Sequence, residues 1–210
     1  MKRKFEMRIR LENENDYFEV EKLVRNSFWN VYRPGAFEHY IVHELRQDES
    51  FVNNLAYIIE DNNQIIGHIN YSKGFIEYEN EKIDAVILGP IAVHRDYQNQ
   101  GLGSELIEHT LDLAKKENIP FILVVGDENY YRRFGFVSAC EYGLYLEGTD
   151  TSQECPFFMI KIFDESKLKK EKGIFHNPDV FNVAKEDVDE FDKQFDYKEK
   201  KVLESQLEGL

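Results

Sequence analysis

Six consecutive residues, Gln98-Asn99-Gln100-Gly101-Leu102-Gly103, separate an apolar segment ending at Val93-His94 from a stretch with helical periodicity. The first N–H groups of a helix have no intrahelical partner, and the aligned peptide dipoles add partial positive charge at that end. Gly101 and Gly103 let a bulky anion approach the backbone closely, so this helix entrance has the make-up of a pyrophosphate site. Two other phosphate-binding patterns fail on residues. A dinucleotide fingerprint needs a third glycine, and Leu106 stands there; a nucleoside triphosphate loop needs Gly-Lys-Ser/Thr, and Gly103-Ser104 is followed by Glu105. A Gly-x-Gly pair by itself also suits a plain loop.

The elements around the loop decide what it can hold. Residues 85–93 are nearly all apolar, as expected of a strand covered on both faces. Gly89-Pro90 interrupts it: Gly suggests a bulge or bend, and Pro removes a ladder donor. A helix over about residues 101–117 and a second buried strand over 121–125 make a parallel crossover unit. Alternation of Phe5, Met7, Ile9 and Leu11 with charged residues predicts a half-buried strand over 5–11. Asp16 can cap a helix to about Phe28, and a second short helix follows over 37–46. Strands are expected over 56–60 and 64–71, then a hairpin from Phe75-Ile76 into 84–93. A short helix over 128–134 precedes a long strand from Phe136 toward Glu147, with 156–163 as its partner. After Asp164 the composition turns charged, and Ala184, Val188, Phe191 and Phe195 fall at helical spacing.

The chain has 210 residues, 42% hydrophobic and 14% aromatic, enough to fill one sizeable core. Its formal net charge of −14 repels phosphate backbones and anionic lipid, so neither nucleic acid nor a membrane surface is an expected partner. The same field favours a cationic substrate and also serves solubility. Cys140 and Cys155 are expected as free thiols, and without a cluster of ligating residues no metal is expected. The basic start Met1-Lys2-Arg3-Lys4 is followed by no apolar stretch, and no uncharged run is long enough to span a bilayer. The expected localisation is cytoplasmic.

The run from Ile91 through Ser104 resembles the acetyl-coenzyme A motif of the GNAT N-acetyltransferase superfamily, whose pattern (Gln or Arg, two residues, Gly, one residue, Gly or Ala) is met by Gln98, Gly101 and Gly103. Downstream, Tyr130-Tyr131-Arg132-Arg133-Phe134-Gly135-Phe136 resembles the family's tyrosine-containing helix and Gly-Phe turn. The resemblance covers roughly residues 5 to 163. Glu141-Tyr142-Gly143-Leu144 and the tail after Gly173 are further similar to a broad bacterial subgroup of predicted N-acetyltransferases. The resemblance implies an α/β (α+β) fold with a mixed central sheet of about seven strands, splayed at the two central strands, and helices on both faces. It implies a GNAT domain over residues 1–165, with 166–210 as a charged extension carrying the amphipathic helix.

It also implies acetyl-CoA as co-substrate, with Ile91, Ala92 and Val93 holding the pantetheine arm and thioester. Gln98, Asn99, Gln100, Gly101, Leu102, Gly103 and Ser104 would hold the pyrophosphate. Tyr131, four residues before Gly135, matches the general acid that protonates the leaving sulfur. The family's usual Asn at the start of that region is replaced by Gly126-Asp127-Glu128.

No residue announces itself as the base. Glu38 and His39 are candidates, with Glu44 a third, and an ordered water is an alternative. His68 reads as a core histidine or as a residue lining the cleft, and His94 as a residue that closes the loop. Phe28, Trp29, Tyr32 and Phe37 either wall a substrate pocket or pin helices to the sheet. The expected reaction is acetyl transfer to a small-molecule or protein primary amine by direct attack in a ternary complex. The alternatives are a GNAT-like module that binds an acyl-CoA without turnover and a nucleotide-dependent enzyme. A homodimer is a possible assembly.

Overall fold

The computed structural model describes residues 7–204 and 206. Phe5 and Glu6, at the start of the expected first strand, lie outside them. The strand, β1 (Arg8–Leu11), pairs antiparallel with β2 (Tyr57–Asp61). As an edge strand it turns only Ile9 toward the core, and Met7 and Leu11 are exposed. Asp16 does not cap α1 (Tyr17–Phe28). Its carboxylate is held by the Arg10 guanidinium at 2.6 and 2.8 Å and by the Asn13 N–H at 2.9 Å, so the capping box forms one turn earlier, at Asn13.

Helices cover both faces of the sheet. On one face α1 and α2 (Glu38–Leu45) bury Val20, Leu23, Val24 and Val42 against Ile58 and Ala92. On the other, α3 (Leu102–Lys116) buries Leu102, Leu106, Ile107, Leu111 and Ala114 in a cluster with Ile59, Ile69 and Val124. β3 (Gln64–Glu77) is one long strand where two had been expected, and it pairs with β4 (Lys82–Val93) along its length. β5 (Phe121–Val125) lies parallel to β4. α4 (Glu128–Tyr131) leads to β6 (Val137–Ser138).

The long strand expected from Phe136 toward Glu147 breaks after β6. The chain makes a tight helical turn through Ala139–Tyr142 and reverses at Gly143, whose φ of +72° suits glycine. The next strand, β7 (Leu144–Leu146), therefore pairs with β9 (Gly173–His176), while β8 (Phe158–Ile162) takes β5 and β6 as neighbours. β9 also pairs with the far end of β3. The result is an open mixed sheet of nine strands among the described residues, in the order β1-β2-β3-β4-β5-β8-β6 with β7 and β9 attached beside β3. α5 (Lys185–Phe191) follows and buries Val188.

At the centre of the sheet the pairing is incomplete. β4 and β5 pair only over Val86–Leu88 and Ile122–Val124, whereas β4 runs on to Val93 against β3 alone. Between Leu88 and Ile91, β4 has one residue more than β3 has between Tyr71 and Ile69. This is the bulge expected at Gly89-Pro90, which contains a cis peptide and a Gly89 φ of +143°. Both cysteines are free. No helix among the described residues is long and apolar enough to cross a membrane, and no cluster there is arranged to hold a metal.

Candidate active site

The loop after β4 is built by its own side chains. His94 Nδ1 accepts from the Asp96 N–H at 3.3 Å, closing a helical turn over Arg95–Tyr97. Gln98 Nε2 donates to the Val93 carbonyl at 3.2 Å, and Gln100 Nε2 to the Asp96 carbonyl at 3.1 Å. Asn99 (φ +60°) and Gly101 (φ +90°) then bend the chain into α3. The helix has no side-chain cap, and its first recorded helical bond runs from the Glu105 N–H to the Gly101 carbonyl at 3.0 Å. The N–H groups of Leu102, Gly103 and Ser104 thus precede that ladder. They line a cavity of about 420 Å³ with Val93, Gln98, Asn99, Tyr130 and Arg133.

Arg133 is a functional candidate that the sequence reading did not single out, although it lies inside the Tyr130–Phe136 motif. Its guanidinium sits 4.1 Å from the centre of the Tyr130 ring and its Nε donates to the Tyr130 carbonyl at 2.9 Å. That posture leaves a cation beside the free N–H groups, where an anion gains from both.

α4 begins at Asp127, whose carboxylate accepts from the Asn129 N–H at 2.9 Å. The turn brings the Tyr131 ring into the same core cluster as Leu88 and Val124, the last residues paired before β4 and β5 part. A Cβ on Gly126 would stand 2.4 Å from Tyr131 Cε2. No side chain fits at Gly126 while that ring is in place. Burial, and then the neighbouring Tyr130 and Tyr32 hydroxyls, raise the Tyr131 pKa well above that of a free phenol. Tyr131 is therefore a neutral O–H donor throughout the working pH range.

Opposite lies the segment between α1 and α2. Ser27 Oγ donates to the Val93 carbonyl at 3.4 Å, so α1 ends beside the end of β4. Tyr32 is partly exposed, and both burial and the Glu38 charge raise its pKa. Glu38 is half-buried, with its carboxylate accepting the Phe37 N–H at 2.9 Å. Of the aromatic cluster read from sequence, Phe28 packs against the α1–α2 core and Tyr32 lies with its ring 6.0 Å from that of Phe28.

His39 and Glu44 are placed differently. His39 is fully buried, with Nε2 3.1 Å from the Asp192 carboxylate and its ring against Phe191 and Phe195. Asp192 also accepts from Arg25 Nε at 2.6 Å. Burial opposes ionisation of Asp192, but His39 and Arg25 outweigh it and hold its pKa down to about 2. Glu44 lies beside the Tyr40 hydroxyl.

His68 is fully buried in β3, as a core histidine should be, yet neither ring nitrogen has a hydrogen-bond partner among the described residues. Burial, reinforced by the Arg46 charge, pushes its pKa down to about 3, so it is neutral. Arg46 itself is enclosed and bridges two buried carboxylates, Glu12 at 2.5 Å and Glu21 at 2.7 Å. Ala92 is buried toward α1, and Ile91 and Val93 pack toward α3; all three have β3 as a neighbour strand on one side only.

With this geometry in hand, comparison with known proteins is specific. The acetyltransferase (GNAT) family model matches residues 21–136. The chain is 28% identical over 176 residues to the uncharacterised N-acetyltransferase YhbS of Escherichia coli K12, spanning 84% of this chain and 99% of that protein. The crystal structure of Escherichia coli YhbS in complex with CoA superposes with a TM-score of 0.73 at 25% identity, covering 87% of this chain and 96% of that one. A GNAT family acetyltransferase from Brucella melitensis in complex with acetyl-CoA shares the fold, with a TM-score of 0.66 at 24% identity over 83% of this chain and 97% of that one.

Proposed function

Because the chain belongs to the GNAT acetyltransferase family, we propose that this acyltransferase moves an acetyl group from acetyl-CoA to a primary amine by direct attack in a ternary complex. The observation that carries the reading is the meeting of two features at the parting of β4 and β5. One is the row of uncommitted N–H groups from Leu102 to Ser104, and the other is the neutral Tyr131 hydroxyl. The CoA complex of YhbS supports the same donor here.

The residues present suit that donor. The N–H groups of Leu102, Gly103 and Ser104, with the loop Gln98–Gly101 and the Arg133 guanidinium, hold the pyrophosphate. The free side of Ile91, Ala92 and Val93 offers backbone groups to the pantetheine arm, and one of these amides polarises the thioester carbonyl. Acetyl-CoA supplies an acyl group already activated as a thioester.

The amine nitrogen attacks the carbonyl carbon, a C–N bond forms and the C–S bond breaks. Tyr131 gives its proton to the departing sulfur. Glu38, at the start of α2, takes the proton the amine must lose, directly or through water. Its charge also draws a cationic amine toward the opening. His39, enclosed against Asp192, holds α2 and Glu38 in place. Among the described residues, 7–165 carry the donor and acceptor groups, and 166–204 with Gln206 form the extension that braces them.

Amine-dependent release of free thiol from acetyl-CoA tests the proposal. Thiol release that rises saturably with a primary amine, and yields the N-acetyl product, supports it. Failure across cationic small amines and peptides with free amino groups, at saturating acetyl-CoA, would overturn it.

A further inference from the structure

The segment between α1 and α2, Trp29–Phe37, has no regular secondary structure, yet it is fastened by the far end of the chain. Asn30 is the fastening point. Its side chain and backbone reach across both the loop and the C-terminal segment. Oδ1 accepts from the Gly35 N–H at 2.8 Å and from the Lys201 N–H at 3.0 Å, and Nδ2 donates to the Glu199 carbonyl at 3.0 Å. The Asn30 N–H donates to the Gly35 carbonyl at 2.8 Å, and its own carbonyl accepts from Gln206 Nε2 at 3.2 Å. Its φ of +61° is one that asparagine tolerates better than most residues.

Neighbouring contacts repeat the arrangement. Trp29 Nε1 donates to the same Glu199 carbonyl at 3.0 Å, and the Lys200 stem lies 3.1 Å from where a Gly35 Cβ would be. These bonds are not what docks the C-terminal segment on the domain. Upstream, Val188, Phe191 and the Asp192 bridge to Arg25 and His39 already do that. What Glu199, Lys200, Lys201 and Gln206 add is fixation of the loop. That loop leaves α1 beside the end of β4, where Ser27 Oγ reaches the Val93 carbonyl, and it carries Tyr32, whose ring lies 6.0 Å from that of Phe28.

We propose that Asn30 is a positioning residue of the acceptor site, through which the C-terminal segment holds the α1–α2 loop against the reaction centre. The inference rests on the acetyl-transfer reading above. The donor loop Gln98–Ser104 makes none of these bonds, so loosening Asn30 impairs use of the amine and spares the donor. A flexible loop must be ordered at each acceptor encounter, and that cost enters the acceptor KM.

The test uses the full chain with Asn30→Gly, which keeps the backbone angle and removes the side chain, and Asn30→Asp, which keeps the two accepted bonds and loses the donated one. Acetyl-CoA affinity is measured by calorimetry. Acceptor kinetics are measured with spermidine and with a short peptide bearing a free N-terminus. Loop protection is read from hydrogen exchange over residues 31–36.

For Asn30→Gly the expected result is exchange about tenfold faster in the loop. The acceptor KM rises about fivefold, with kcat and acetyl-CoA affinity within about twofold of wild type. Asn30→Asp falls between the two. Unchanged loop exchange, or parallel losses in KM, kcat and acetyl-CoA affinity, would overturn the proposal. If wild type acetylates neither probe, the result counts against the acetyl-transfer reading on which the inference rests, whatever the loop exchange. Failure of wild type to bind acetyl-CoA refutes the underlying reading instead, and is seen separately in the calorimetry.

Discussion

The Tyr130 hydroxyl occupies the place where a side chain on Gly103 would begin: a Cβ there would lie 2.7 Å from Tyr130 Oη. The glycine thus serves two partners, an anion approaching the first turn of α3 and the tyrosine that packs against that turn from α4. This contact joins the two motifs that were separate in the sequence.

Gly103→Ala should therefore weaken acetyl-CoA binding by about tenfold, or about 1.4 kcal/mol, because the new methyl displaces Tyr130 from the loop. The double variant Gly103→Ala/Tyr130→Phe should recover most of that loss. Calorimetric titration of the two variants checks the claim; equal losses in both would show that the methyl obstructs the donor itself.

Tyr131→Phe should lower kcat by about 10²-fold or more while acetyl-CoA affinity changes little, since only the proton donor is lost. Because burial raises the Tyr131 pKa, the wild-type rate should show no fall from its ionisation between pH 7 and 10. Unchanged turnover in the phenylalanine variant removes Tyr131 from the chemistry.

Asp192 couples α1, α2 and the C-terminal segment through Arg25 and His39. Its folded pKa of about 2 lies below the ordinary 3.8, so the stability it supplies is fully present above about pH 4 and is lost as pH falls through 2. At neutral pH, Asp192→Asn should cost about 1 to 3 kcal/mol. The lower figure follows from the pKa after solvent screening, the upper from stranding the buried Arg25 guanidinium. Urea unfolding at pH 7 measures it, and a change under about 0.3 kcal/mol would show that the bridge contributes nothing.

His68 acts in a different pH window. Its pKa, pushed down to about 3 in the folded chain, means that the unfolded chain binds the extra proton between about pH 6.5 and 3. Stability should fall with pH across that window, by at most about 1.4 kcal/mol per unit from this residue. The slope should shrink in His68→Gln, as followed by urea midpoints at pH 7, 6 and 5. An identical slope in the variant would remove His68 as the source of the acid sensitivity.

What was legible in the sequence was local. Gln98–Ser104 and the Gly89-Pro90 bulge are encoded by neighbouring residues, and the apolar runs of β4 and β5 announce buried strands without reference to anything distant. β9 was missed because Gly173–His176 is a short segment amid charge, and its strand character comes from pairing with β3 and β7. The strand expected beyond Phe136 failed at Gly143, where a left-handed residue reverses the chain.

The acceptor side was the least legible part. Asp192 closes on His39 from a distant part of the chain. Asn30 is an ordinary loop residue until residues 199–206 fold back onto it. None of these relationships has a periodicity or a spacing, since each depends on segments brought together only by the finished fold.

The most direct measurement is a calorimetric titration of the full chain with acetyl-CoA, which requires no knowledge of the acceptor. Saturable binding of about one equivalent in the micromolar range, roughly 8 kcal/mol, is the result the loop geometry predicts. Absence of detectable binding at millimolar acetyl-CoA would contradict it, leaving the fold intact but the Gln98–Ser104 loop without its donor.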